Sequence, residues 1–311
     1  MADEKWIEGL QSSMPVTEAA GIVLALRLEA VRERLSAAVF HADDDIEHVH
    51  RLRVSTRRAA AGLRLFADCM PARLAKKTRQ ALRSLRRAAG EARDWDVFLQ
   101  LLRPRGNAPL PQRPGIDFLL GYAHGQRVLA QEHLQTAFAD HADDFERCLT
   151  RINKHTESCK AARSPLNELA GVVLTDLVRQ FEAAAEADLA AYEALHRVRI
   201  LGKQLRYAME VFESCYGKAF RRDYYPAIVE MQDILGDAND SYTISQRLTA
   251  LRTRLMKTQP RQWPQYRAGI EAVLHFHEKR LPLQRKKFEK WWRAWQKSGA
   301  ERAFAELVRM G

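Results

Sequence analysis

The 311 residues include only four cysteines, Cys69, Cys148, Cys159 and Cys215. They are too far apart to suggest paired zinc ligands and suit helix interiors in a reducing compartment, so neither a disulfide scaffold nor a metal module is expected. Glycine is scarce at 15 residues and proline at 11, which disfavours a turn-rich chain and leans the composition toward helix. No segment alternates with period two for long enough to make a strand. No apolar run approaches the ~20 residues of a membrane span, and the opening MADEKWIEGL lacks both the basic region and the apolar stretch of a signal peptide. A cytoplasmic protein without integral membrane association is therefore expected. Walker, G-x-S-x-G and H-E-x-x-H motifs are also missing. Nothing supplies the nucleophile and base that hydrolysis or transfer would need, so a binding protein is expected, with no enzyme activity, no cofactor and no metal.

Acid is scarce in one place in particular. From His50 to Gly90 there are twelve Lys or Arg and a single carboxylate, Asp68, in a chain whose net charge is +11. Like charges one helical turn apart each cost about 0.2–0.5 kcal/mol, a penalty that acidic neighbours usually cancel. On a helix advancing ~100° per residue, Arg53, Arg57 and Arg64 fall within roughly 60° of His50, while Leu52, Ala59, Leu63 and Phe66 share the opposite face. The next helix carries Lys76, Arg79, Arg83 and Arg86 within roughly 80° of one another. Two neighbouring helices that both present cations repel across their shared groove unless an anion fills it. Arg binds phosphate bidentately and Lys acts as a point charge, so a linear or clustered polyanion is the expected ligand. A histidine among such cations is expected to be neutral until phosphate favours its protonated form.

The chain also repeats itself. At an offset of 146, His50 meets His196, Arg53 meets Arg199, Arg57 meets Lys203, Phe66 meets Phe212, Cys69 meets Cys215, Gly90 meets Gly236 and Asp94 meets Asp240. Upstream, PVTEAAGIVL from Pro15 matches PLNELAGVVL from Pro165 at an offset of 150. The second copy adds Arg206 and Tyr207 to the arc of His196, Arg199 and Lys203, with Glu210 following on the same face. Periodicity and punctuation predict a first helix over residues 16–40, a second capped by Asp43–Asp45 and running to about Cys69, and a third from Pro71 to about Ala89, stopped by Gly90. Asp94 is read as the cap of the next helix and Arg103–Gly115 as a loop, with further helices to about Cys159. The expected fold is all-α: two pseudo-symmetric helical bundles from a tandem repeat, residues 1–162 and 163–311.

The pattern H-x-x-R-x-x-x-R/K, a later G-x-x-x-D, and a second copy ending in K-x-x-R-Y resemble the CHAD domain, the conserved histidine α-helical domain. The resemblance extends from about Val16 to the C-terminal FEKWWRAW. It implies two pseudo-symmetric helical bundles whose basic central surface binds inorganic polyphosphate, often on polyphosphate granules. Carried over by position, it makes His50, Arg53, Arg57, His196, Arg199, Lys203 and Arg206 ligand contacts; Arg64, Lys76, Arg79, Arg83 and Arg86 join them from the stripes. Family members are often fused to a triphosphate tunnel domain that begins E-x-E-x-K. These residues contain no such motif, and its hydrolase activity is not expected.

Other constellations have simpler readings. Gly90 with Asp94, and Gly236 with Asp240, could orient an arginine or hold a metal, but a helix stop followed by a cap is preferred. His48 with His50, and His275 with His277, are spaced i,i+2, which points the rings apart. QRKKFEKWWRAWQK, residues 284–297, could lie on a membrane surface; a final helix packing its aromatics inward is preferred. Nucleic acid is the rival ligand, although the stripes lack interleaved aromatics for base stacking. A scaffold for phosphorylated or acidic proteins is a third reading.

Overall fold

The computed structural model describes residues 5–158 and 164–310, so the expectations resting on Cys159 and Arg163 lie outside the described residues. It is 86% helix, and among the described residues it has no strand. The helices are α1 (Val16–Phe40), α2 (Glu47–Leu65), α3 (Ala72–Leu102), α4 (Arg113–Ser158), α5 (Leu166–Ala185), α6 (Tyr192–Phe212), α7 (Tyr225–Thr258), α8 (Trp263–Lys297) and α9 (Ala300–Met310). Among the described residues, no helix is long and apolar enough to cross a membrane.

Helix α1 follows its apolar spacing: Leu24, Leu28, Val31 and Leu35 are all buried. The Asp45 carboxylate accepts the Glu47 N–H at 2.9 Å, which satisfies one free donor at the start of α2. Helix α3 departs from expectation. Gly90 does not stop it, and α3 runs twelve residues further, to Leu102. Beyond the glycine, Ala92, Trp95, Leu99 and Leu102 continue the three-and-four apolar spacing and are buried, outweighing the ~1 kcal/mol that a mid-helix glycine costs. Gly236 likewise lies inside α7, so Asp94 and Asp240 cap nothing. The expected loop from Arg103 ends at Gln112, and the several helices expected beyond it form one 46-residue helix.

Helices α1 to α4 pack on one another, as do α5 with α6, α6 with α7, and α7 with α8; α9 turns back onto α5. Gly299, at φ +74°, supplies the left-handed residue that ends α8 and permits this turn. The two sets of helices meet where α2 touches α6 and where α4 crosses α8. At the crossing, a Cβ on Gly115 would lie 2.2 Å from the Tyr266 carbonyl oxygen, and one on Gly269 2.3 Å from that of Gln112, so the backbones touch because neither helix has a side chain there. At the entries to α1 and α5, Val16 N–H donates to Ser164 O at 3.0 Å and Leu166 N–H to Met14 O at 2.8 Å, a reciprocal pair between positions 150 apart. Phe66 and Phe212, matched at offset 146, meet with ring centroids 6.5 Å apart.

The Trp-rich segment packs inward. Phe288 and Trp292 are buried, Trp292 meets Phe181 edge-on, and Trp291 stacks on Trp295. Glu210 does not join the cationic face that the spacing suggested. It is 1% exposed, accepts from Arg58 Nε at 2.7 Å and Tyr225 Oη at 2.8 Å, and lies 4.0 Å from Arg27, so one carboxylate ties α1, α2, α6 and α7 together.

Candidate polyanion groove

The α2–α6 contact turns the polar faces of both helices toward α3 and α7, and two connected cavities open between them. The first, of about 240 Å³, is lined by His50, Arg53, Arg57, Arg93, Arg199 and Arg247, with Asp94 and Asp240. The second, of about 660 Å³, shares Arg53, Arg57, Asp94 and Arg247 and adds Arg64, Arg86, Arg87, Glu91 and Lys203. Together they hold nine Arg or Lys side chains against three carboxylates.

Asp94 organises the junction. It accepts from Arg53 at 2.8 Å and Arg247 at 3.4 Å, while Arg53 also donates to the Gly90 carbonyl at 3.4 Å. Arg53 lies along α3 beside Gly90, where a Cβ would meet its guanidinium at 3.9 Å in ordinary contact, and Gly236 faces open space, where a Cβ would have no neighbour within 4 Å. Asp94 does the job given lower preference from sequence: it orients arginines. In the second half Asp240 lines the same cavity as Arg199 and partly offsets the lowering of that arginine's pKa.

The cations are short of counter-charge. Burial, reinforced by Arg57, Arg199, Arg53 and Arg206, lowers Lys203 to about 6. Burial and Arg53 lower Arg57 to about 10, although Tyr207 opposes them. Arg86 is lowered by burial and by Arg83, and Arg199 by burial, its Nε enclosed without a hydrogen-bond partner among the described residues. His50 is held below its usual value by burial and Arg93, and His196 by burial and Arg199, so both are neutral at pH 7. Arg206 departs from this pattern. Burial works against its charge, but Tyr207 and Glu210 outweigh it and raise the pKa.

Of the twelve residues singled out from sequence, His50, Arg53, Arg57, Arg64, Arg86, Arg199 and Lys203 line the cavities. His196 stands beside them, its Nδ1 3.1 Å from the Tyr192 hydroxyl, which also donates to Asn239 at 3.1 Å. Arg206 leans on Tyr207, 3.3 Å from its hydroxyl. Lys76, Arg79 and Arg83 line neither cavity. They are exposed on the N-terminal part of α3, whose middle alone borders the groove, and Lys76 is about 15 Å along the axis from Arg86. Arg87, Arg93 and Arg247 were missed. Arg93 and Arg247 follow the residue periodicity, seven positions after Arg86 and Asp240 respectively, and reading Gly90 as a stop cut the α3 stripe short of Arg93.

Elsewhere, buried His277 and exposed His275 point apart as their spacing requires. Among the described residues no group of three His, Cys, Asp or Glu side chains could hold a metal ion. Cys69 and Cys148 are buried and Cys215 partly so.

The CHAD domain family matches residues 22–249, and the chain belongs to it. The fold resembles the crystal structure of the CHAD domain from the plant Ricinus communis at TM-score 0.72 and 21% identity, covering 90% of this chain and 91% of that one. It also resembles PptA from Streptomyces chartreusis at TM-score 0.67 and 14% identity, covering 90% and 100%. The comparison with curated proteins gives no match.

Proposed function

We propose that this protein binds inorganic polyphosphate along the groove between α2, α3, α6 and α7 and does not turn it over. One observation carries the reading: nine Arg or Lys side chains face three carboxylates in connected cavities, and burial together with the neighbouring arginines lowers Lys203 to about 6. Gathering unmatched cations costs stability that a bound polyanion returns, by engaging several linked phosphates at once. His50, Arg53, Arg57, Arg64, Arg86, Arg199 and Lys203 are the direct contacts, with His196 and Arg206 behind them. Lys76, Arg79 and Arg83 extend the track for a chain that leaves the groove. Residues 1–162 and 163–311 are two copies of one unit, a reading supported by the reciprocal bonds at Val16 and Leu166 and the Phe66–Phe212 contact. The setting is cytoplasmic, at polyphosphate granules.

Competition between long-chain polyphosphate and a DNA duplex of similar total charge, at fixed salt, tests the reading. Polyphosphate is expected to displace DNA at far lower phosphate concentration and to lose affinity steeply with salt. Equal affinities would point instead to a general basic surface. Incubation with polyphosphate, with and without a divalent cation, is expected to release no orthophosphate.

A further inference from the structure

Beside the groove, a third cavity of about 230 Å³ opens between α3, α4 and α7, and its character is different. Its floor is apolar, formed by buried Trp95, Phe98, Leu248 and Leu251. Two guanidinium groups lie on aromatic rings at its walls: Arg247 over Trp95 at 4.5 Å from the ring centroid, and Arg254 over Tyr122 at 5.3 Å. Arg247 also lines both anion cavities and donates to Asp94, so one side chain borders the phosphate-binding space and the aromatic slot together. Along α7, the stretch from Ile244 in the first cavity to Leu251 in the third spans about 10 Å at 1.5 Å per residue.

Resting on the polyphosphate reading of the groove, we propose that this slot is a subsite for the base of a nucleoside polyphosphate whose phosphate chain lies on Arg53, Arg199 and Arg247. The chemistry is that of a flat π-system, which stacks on aromatic rings and on guanidinium planes alike. Trp95 and Tyr122 provide the rings, and Arg247 and Arg254 the planes. Leu248 and Leu251 cover the remaining edge of a base, where a bare phosphate chain would gain nothing. Both arginines are donors only, so guanine, whose O6 and N7 make one all-acceptor edge, fits better than adenine, which sets an N6 amino donor beside N7.

The test compares GTP with inorganic tripolyphosphate by titration calorimetry on the full chain at low salt without metal. The esterified triphosphate carries less charge, so charge alone predicts that GTP binds more weakly. The subsite predicts that GTP binds at least fivefold more tightly. Trp95→Leu is expected to abolish that advantage. Arg254→Leu, at an exposed position, is expected to reduce GTP affinity at least threefold while changing tripolyphosphate affinity less than twofold; this variant decides the matter if the Trp95 change unfolds the protein. GTP binding no tighter than tripolyphosphate, or a GTP advantage that survives Arg254→Leu, overturns the subsite and leaves the polyphosphate groove standing. Failure of both tripolyphosphate and long-chain polyphosphate to bind overturns the groove reading itself.

Discussion

Raising the pH from about 7.5 to 9 should weaken polyphosphate binding by up to about 30-fold, because Lys203, lowered to about 6 in the free protein, must be protonated to face an anion. The sign follows from the two states. In the free groove, burial and the neighbouring arginines remove the proton, so at pH 7.5 the amine is almost entirely neutral. A phosphate chain reverses the local potential and returns the pKa toward the ordinary ~10.4, so binding takes up about one proton per groove. His50 and His196 are both lowered from 6.5 and contribute little in this range. Calorimetry in two buffers of different ionisation enthalpy measures the proton directly. Lys203→Met should bind with a nearly flat pH profile over this window, and Lys203→Arg should bind tightly and also flatly. A Lys203→Met variant that keeps the wild-type slope would refute the argument. The same shift acts on folding: the unfolded chain holds this proton to ~10.4 and the folded chain loses it at about 6, so Lys203 makes the free protein more stable as pH rises between those values.

Three further outcomes follow from contacts. Glu210→Gln, which leaves Arg58 and Arg27 buried beside an uncharged partner, should lower stability by about 3–5 kcal/mol in denaturant titrations. A loss below 1 kcal/mol would mean that the ion pair is not what joins these helices. Gly115→Ala forces a methyl against the Tyr266 carbonyl and should cost at least the ~1–3 kcal/mol typical of overpacking, visible as a lower thermal midpoint. Arg86→Gln should weaken tripolyphosphate binding, whereas Arg79→Gln with Arg83→Gln should leave tripolyphosphate alone and weaken only long chains. Equal effects on both ligands would bring those two arginines into the groove.

Much of this architecture was legible in the spacing of residues. The apolar stripe of α1 marked out the helix from Val16 to Phe40, and the 146-residue offset paired Arg53 with Arg199 and Phe66 with Phe212 before either pair was located in space. Local punctuation failed where packing overruled it. Gly90 reads as a helix stop, but Trp95, Leu99 and Leu102 bury the turns beyond it, and the helix carries Asp94 and Arg93 into the groove. Glu210 and Arg206 show the opposite limit. Periodicity set both on the cationic arc, but only the third dimension reveals that Arg58 and Tyr225 claim the Glu210 carboxylate and draw it away from that face. The aromatic slot was invisible because its residues come from three helices far apart in sequence, and none belongs to the repeated pattern.

The central claim is that the groove, rather than the protein's general positive charge, binds polyphosphate. The most direct measurement is the affinity of wild type, Arg57→Gln with Arg199→Gln, and Arg302→Gln with Arg309→Gln for long-chain polyphosphate at one fixed salt concentration. Each double variant removes the same charge, the first inside the groove and the second on α9, outside both anion cavities. The account predicts that the groove variant loses at least tenfold in affinity with its thermal midpoint unchanged or raised, while the α9 variant stays within twofold of wild type. Equal losses in the two would contradict it.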